Sequence, residues 1–74
     1  MNKAQEIFLS HMKNDKNYKE IINFIEKEAS LGNFSIDIPT IDIENISEII
    51  KALELEDFNV DTSLLRLKSI QVRL

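Results

Sequence analysis

The chain contains no cysteine, one glycine and one proline among its 74 residues. Without cysteine it can form no disulfide, and it lacks the cysteine-histidine cluster that binds a structural metal. Because one glycine and one proline leave no flexible linker, we expect one folded domain over residues 1–74. No apolar run approaches the ~20 residues of a membrane span, and residues 1–10 do not resemble a secretory signal. These absences favour a cytoplasmic protein that does not enter a membrane.

A hydrophobic content of 43% and a charged content of 30% are typical of a folded globular chain. A chain this short buries a smaller share of its surface than a larger domain, and its stability margin is correspondingly thin. With no disulfide or metal to add stability, good packing and self-association remain. We therefore expect a homo-oligomer.

The net charge of -4 is unevenly distributed. Residues 37–61 contain one basic residue, Lys51, and eight acids: Asp37, Asp42, Glu44, Glu48, Glu54, Glu56, Asp57 and Asp61. Residues 62–74 contain Arg66, Lys68 and Arg73 and no acid. The acidic middle can pair with the basic end within one fold or between subunits. A basic face for duplex nucleic acid is absent.

Apolar residues at helical spacing predict helix over residues 3–30. The polar segment 14–17 interrupts the pattern with residues of middling to poor helix propensity. The segment is either one long helix with an exposed middle or two helices joined there, and two are favoured. Gly32 ends the helical pattern at a position where a left-handed residue is needed.

Phe34, Ile36 and Ile38 alternate with polar residues, which predicts a half-buried strand closed by Pro39. A helix follows, ending near Glu56. Its start resembles a capping box over residues 45–48, although Thr40 or Asp42 could cap a slightly earlier start. Its apolar stripe is Ile46, Ile49, Ile50 and Leu53.

Phe58 and Val60 begin a second strand, and the strand formers of residues 64–74 predict a third. The apolar phase changes within this last segment, from odd positions at Leu65 and Leu67 to even positions from Ile70 onward. Either a bend at residues 68–69 restores the phase, or both faces of the strand are covered, as a second subunit would do.

The predicted fold is α+β: an N-terminal helix or helical hairpin, then strand-helix-strand-strand with a small three-stranded sheet. Its strands come from residues near 34–38, 58–61 and 64–73. The first strand, the helix and the second strand form a βαβ-like unit, and the last two strands can form a hairpin.

Catalytic chemistry is not indicated. Ser10, His11 and Asp15 are residue types of a catalytic triad, but adjacent helical residues do not face each other, so Ser10 cannot use His11 as its base. The acids from Asp37 to Glu48 match no calcium loop, and no glycine supplies the sharp turn. We therefore expect no enzyme activity, no cofactor and no metal.

Two groups of residues are candidates for binding. Arg66, Lys68 and Arg73 can form a small anion pocket, most plausibly at a subunit interface. Ile21, Phe24 and Ile25 belong to a helix that is apolar on more than one side, which predicts an interface there. The acids Glu54, Glu56 and Asp57 crowd a helix C-terminus, where negative charge is unfavourable. This crowding indicates a basic partner such as Arg66, Lys68 or Arg73.

The pattern over residues 21–74 resembles a loosely defined group of small phage and prophage proteins. The matching pieces are the helix end Ile25–Gly32, the strand Phe34–Ile38, Leu53-Glu54, Phe58-Asn59-Val60 and Ile70-Gln71-Val72. The chain departs from the group in having Asp57 where a glycine usually precedes the aromatic residue, and in ending Val-Arg-Leu rather than Ser-Trp. The resemblance implies a phage accessory protein, some of which act against host defence. No site residue follows from it.

Two functions are consistent with these features. The first is a non-enzymatic protein that binds a bacterial host protein through an acidic or apolar surface. The second is a homo-oligomer that sequesters a small anionic ligand, such as a nucleotide signal, at a subunit interface. The directions of Arg66, Lys68 and Arg73 separate them, because a ligand site requires these side chains to converge.

Overall fold

The computed structural model describes all of residues 1–74 and has the predicted α+β architecture. Its elements are α1 (Lys3–Met12), α2 (Lys16–Ser30), β1 (Ser35–Pro39), α3 (Ile46–Leu55), β2 (Asn59–Asp61), a short 3₁₀ turn (Leu65–Leu67) and β3 (Ser69–Arg73). The sheet order is β1-β3-β2, with β3 antiparallel to both neighbours. The strand-helix-strand unit is therefore split by β3, so β1 and β2 do not pair.

The N-terminal segment forms two helices, as the polar residues at 14–17 indicated. Asp15 causes the break, because its carboxylate Oδ1 accepts a hydrogen bond from the backbone N–H of Tyr18 at 2.9 Å. An acidic residue at this N-cap position satisfies one of the free N–H groups of the new helix. This capping bond fixes the start of the second helix at Lys16, within the polar segment that interrupts the apolar pattern.

The capping box predicted for α3 is wrong. Asn45 is the N-cap residue, but its side chain makes no capping hydrogen bond. Its amide instead donates to Asp15 Oδ2 at 2.9 Å and accepts from Asn17 Nδ2 at 3.1 Å. These three residues, the Asp15–Asn45–Asn17 cluster, tie the start of α2 to the start of α3.

The phase change in the last segment comes from a bend, the first of the two predicted explanations. Residues 65–67 form the 3₁₀ turn, and Lys68 follows with a left-handed φ of 62°. The predicted strand 64–73 is thus shortened to Ser69–Arg73. The outward positions of β3 are Ser69, Gln71 and Arg73, so no second subunit is needed to cover an apolar outer face.

The core lies between the helices and the inner face of the sheet. The predicted stripe of α3 is central to it: Ile49 and Leu53 are completely buried, Ile50 is 9% exposed, and Ile46 is partly buried against the core. Ala52, which is not part of the predicted stripe, is also completely buried. The sheet contributes Ile36, Ile38, Ile70 and Val72, and α2 contributes Tyr18, Ile21 and Ile25. The outer face is polar, with Gln71 donating to Asp37 and Arg73 donating to Gln71. A single hydrophobic layer therefore stabilises the fold.

Asp57 lies where the resemblance leads one to expect glycine, and its φ of 68° is left-handed. We expect Asp57→Gly to raise the free energy of unfolding by about 0.5–1 kcal/mol, because glycine adopts this conformation without strain. The change also removes a negative charge from the C-terminus of α3, where it is unfavourable. Urea unfolding of the two proteins measures the difference.

Asp57→Ala is the matched control, since it removes the same charge but places a Cβ-bearing residue without a polar group at positive φ. Alanine should destabilise the chain relative to glycine. Equal stability of the glycine and alanine variants would contradict the conformational explanation and leave the charge alone responsible.

Candidate functional site: an acidic groove beside an open sheet edge

The residues considered for catalysis are not arranged for it. His11 is exposed on α1 in a shallow depression with Lys3, Glu6, Ile7 and Ser10. Asp15, the third residue type of the triad, caps α2 and binds Asn45. No group of three or more histidine or carboxylate side chains is placed to hold a metal ion. Separately, no helix combines the length and apolar character needed to cross a bilayer.

The three basic residues predicted for an anion pocket do not converge. The Arg73 guanidinium donates to Gln71 Oε1 at 2.7 Å and lies 3.7 Å from Asp61 Oδ2, on the outer face of the sheet. Arg66 and Lys68 are exposed beyond the opposite end of β3. Lys68 is five residues from Arg73, or about 16 Å along an extended strand. None of the three lines a cavity with another.

The acids at the end of α3 do not face these basic residues either. Glu56 Oε1 lies 3.7 Å from Nζ of Lys13, the C-cap residue of α1, and Glu54 and Asp57 form no ion pair. Within one chain, Arg66, Lys68 and Arg73 therefore do not supply the basic partner predicted for this acidic cluster. The C-terminus of α3 packs near the end of α1, whereas the basic tail bends away at Lys68.

Of the three residues predicted for an interface, two are in the core. Ile25 is 2% exposed and Ile21 is 5% exposed, because both face the sheet. Their assignment as interface residues is corrected to core residues, although Ile21 also borders a groove. Phe24 is 40% exposed and remains available to a partner.

Phe24 lies in an open groove of about 250 Å³ between α2 and β1. We call it the Phe24 groove. Its lining is Asn17, Glu20, Ile21, Phe24, Ile38, Pro39 and Ile43. The walls are mainly apolar, and the single charged residue is the acid Glu20. Such a groove accepts an apolar side chain.

Beside this groove, β1 is an edge strand with unpaired backbone groups. The ladder to β3 begins with Leu74 N–H donating to Phe34 at 3.0 Å and ends with Thr40 N–H donating to Lys68 at 2.8 Å. Hydrogen-bonded pairs alternate along an antiparallel ladder, so even-numbered residues of β1 bond to β3. The backbone groups of Ser35, Asp37 and Pro39 therefore point to the open edge.

The surroundings of this edge are acidic. Glu20 lines the groove, Asp37 lies on the outer face of β1, and Asp42 and Glu44 follow in the next loop. None of these carboxylates forms an ion pair, and no basic residue lines the groove. The site consequently favours a partner that carries positive charge.

A second groove lies on the other side of α2 and has a volume of about 510 Å³. We call it the Tyr18 groove. Its lining is Lys13, Tyr18, Lys19, Ile22, Asn23, Glu26, Glu56 and Phe58. Two lysines and two glutamates balance, so the groove does not select anions. Burial, and secondarily the charge of Glu56, raises the pKa of Tyr18, which keeps the phenol protonated as a hydrogen-bond donor.

The sequence contains two residues that indicate the sheet edge, although the composition and the apolar periodicity do not reveal it. Proline within a strand is confined to edges or strand ends, because it has no N–H for a ladder. Asp37 is a charged residue of the kind that protects edges. Pro39 and Asp37 together mark β1 as an edge strand. The groove itself depends on how α2 crosses the sheet, which no local pattern specifies.

No protein-family model, no curated protein and no solved structure matches this chain. The resemblance to small phage proteins therefore stays a prediction. The function has to be inferred from the side chains and backbone groups described above.

Proposed function

We propose that the chain is a non-enzymatic binding protein that acts by binding another protein through the Phe24 groove. The observation that carries this proposal is the apolar groove beside an open strand edge, surrounded by unpaired acids. Partly exposed Phe24 supplies an aromatic contact, a residue type that is enriched at protein interfaces. The resemblance to phage accessory proteins makes a bacterial cytoplasmic protein the proposed partner.

The alternative, an oligomer that sequesters a small anionic ligand, has less support. Arg73 lies at the opposite end of β3 from Arg66 and Lys68, and the two lysines of the Tyr18 groove are balanced by Glu26 and Glu56. An anion bound in the Tyr18 groove would therefore meet two carboxylates as well as two lysines. Catalysis has no support from the surroundings of His11.

The proposal is tested by placing a photocrosslinking amino acid at Glu20 in the full chain expressed in a bacterial host. We expect a discrete protein adduct at this position, because Glu20 lines the groove. A crosslinker at exposed Lys3 on α1 is the control and should give no such adduct. The identified partner is then purified, and its affinity is measured for the natural chain and for Phe24→Asp.

Phe24→Asp should weaken the purified complex at least about ten-fold, since it removes a hot-spot aromatic and adds an unpaired charge. Native mass spectrometry of the untreated chain tests the alternative function. A retained small anion whose binding is lost in Arg66→Ala and Lys68→Ala, with no adduct at Glu20, would replace the proposed function with ligand sequestration.

A further inference from the structure

We propose that the partner binds by strand addition, with an extended segment of alternating apolar and basic residues pairing with the open edge of β1. This inference rests on the proposed function and specifies its chemistry. Three independent features of the edge lead to it: the backbone groups that point outward, the groove on the inner side, and the carboxylate on the outer side.

The backbone supplies the hydrogen bonds. Ser35 and Asp37 each direct an N–H and a C=O away from β3, and Pro39 directs a C=O alone. A strand that pairs with residues 35–37 satisfies all the outward N–H groups of β1. Pro39 sets the limit of the register, because a carbonyl of the added strand would find no donor there. Pro39 therefore shortens the part of the edge that can pair, and Ser35 and Asp37 remain available to an added strand.

Side chains of an added strand alternate between the two faces of the extended sheet. Those on the inner face enter the Phe24 groove, where Phe24, Ile38 and Ile43 form apolar walls. Removing an apolar side chain from water at this groove stabilises the complex. The inner positions of the partner are therefore apolar.

The side chains on the outer face of the added strand lie beside Asp37. Its Oδ1 accepts one hydrogen bond from Gln71 Nε2 at 3.2 Å, and no basic residue pairs with this carboxylate. Opposite charges on neighbouring strands stabilise pairing. Glu20, Asp42 and Glu44 add negative charge around the same edge. The outer positions of the partner are therefore basic.

A second copy of this chain does not fit the edge. Antiparallel pairing of β1 with another β1 would bring the two Asp37 side chains close together across the new ladder, and like charges there are destabilising. Each copy also has a net charge of -4 and contributes a proline that cannot donate. The occupant is a different, basic chain.

The test uses the full chain and a capped synthetic peptide, Lys-Val-Lys-Ile-Lys-Val-Lys. Amide hydrogen exchange in the free chain should be fast at Ser35 and Asp37 and slow at Ile36 and Ile38, whose N–H groups bond to β3. Addition of the peptide should slow exchange at Ser35 and Asp37 selectively. Two control peptides have glutamate in place of lysine, or the same composition without alternation. Both should bind at least about ten-fold more weakly.

Asp37→Lys should reverse the preference between the lysine and glutamate peptides. Glu48→Lys is the matched control, because it changes the net charge equally from an exposed position on α3. Equal effects of the two variants would show unspecific charge attraction and overturn the inference. Peptide binding without protection of Ser35 and Asp37, or no binding of the peptide, would also overturn it. The crosslink at Glu20 decides the proposed function separately.

Discussion

Leu53→Ala is expected to lower the free energy of unfolding by about 2–5 kcal/mol. Leu53 is completely buried in α3, in the same core cluster as Ile70 and Val72 of β3. Alanine removes the contacts of the branched side chain and leaves a cavity that the sheet and helices fill only in part. Because a domain of this size has a small stability margin, the loss is a large share of the total.

Urea unfolding followed by circular dichroism measures this difference. Leu67→Ala is the matched control, since Leu67 is 69% exposed on the 3₁₀ turn and loses little buried area. We expect the control to stay within about 0.5 kcal/mol of the natural chain. Similar stabilities of the two variants would contradict the central place of α3 in the core.

The elements of this fold could be predicted from the sequence where the apolar pattern was long and uniform. The stripe from Ile46 to Leu53 repeats every three to four residues, and burial on one helix face is its direct consequence. Ile36 and Ile38 alternate with polar residues in the same way and are buried in β1, whereas Phe34 lies outside the strand and is 61% exposed. Local pattern suffices in these segments because a single layer covers each apolar face.

Asn45 illustrates where the sequence was insufficient. Residues 45–48 have the composition of a capping box, and that interpretation assumes that Asn45 bonds to its own helix. The side chain instead reaches Asp15 and Asn17, 30 and 28 residues earlier. A short polar side chain can satisfy its hydrogen bonds locally or across elements, and the tertiary arrangement decides which.

Some features of the candidate site could likewise be predicted from the sequence, and others could not. Exposure of Phe24 was predictable, because it lies off the stripe formed by Ile21 and Ile25. The direction of Arg73 was not predictable. Arg73 lies beside Asp61 because β3 is the central strand of the sheet, and no local sequence pattern specifies this strand order. Charge counts along the chain identified an acidic and a basic segment, but they could not show that Arg73 lies apart from Arg66 and Lys68.

Asp15→Ala is expected to lower the free energy of unfolding by about 1.5–3 kcal/mol, because this carboxylate has two separate structural roles. Oδ1 accepts from Tyr18 N–H and caps α2, while Oδ2 accepts from Asn45 Nδ2 at the start of α3. Loss of an N-cap typically destabilises by about 0.5–2 kcal/mol. Loss of a hydrogen bond to a charged acceptor adds about 1 kcal/mol in this partly buried cluster.

Two further variants separate these roles in the same unfolding experiment. Asp15→Ser keeps a capping oxygen but is too short to reach Asn45, so it should recover about half of the loss. Asn45→Ala keeps the cap of α2 and removes the link to Asp15 together with the hydrogen bond from Asn17. Because Asp15→Ser and Asn45→Ala remove the same hydrogen bond, their combined effect should be less than additive. Asn45→Ala should be the more destabilising of the two, since it also removes the bond from Asn17. Fully additive effects would mean that Asp15 and Asn45 stabilise the chain separately, and that the two helix starts are joined by packing rather than by this carboxylate.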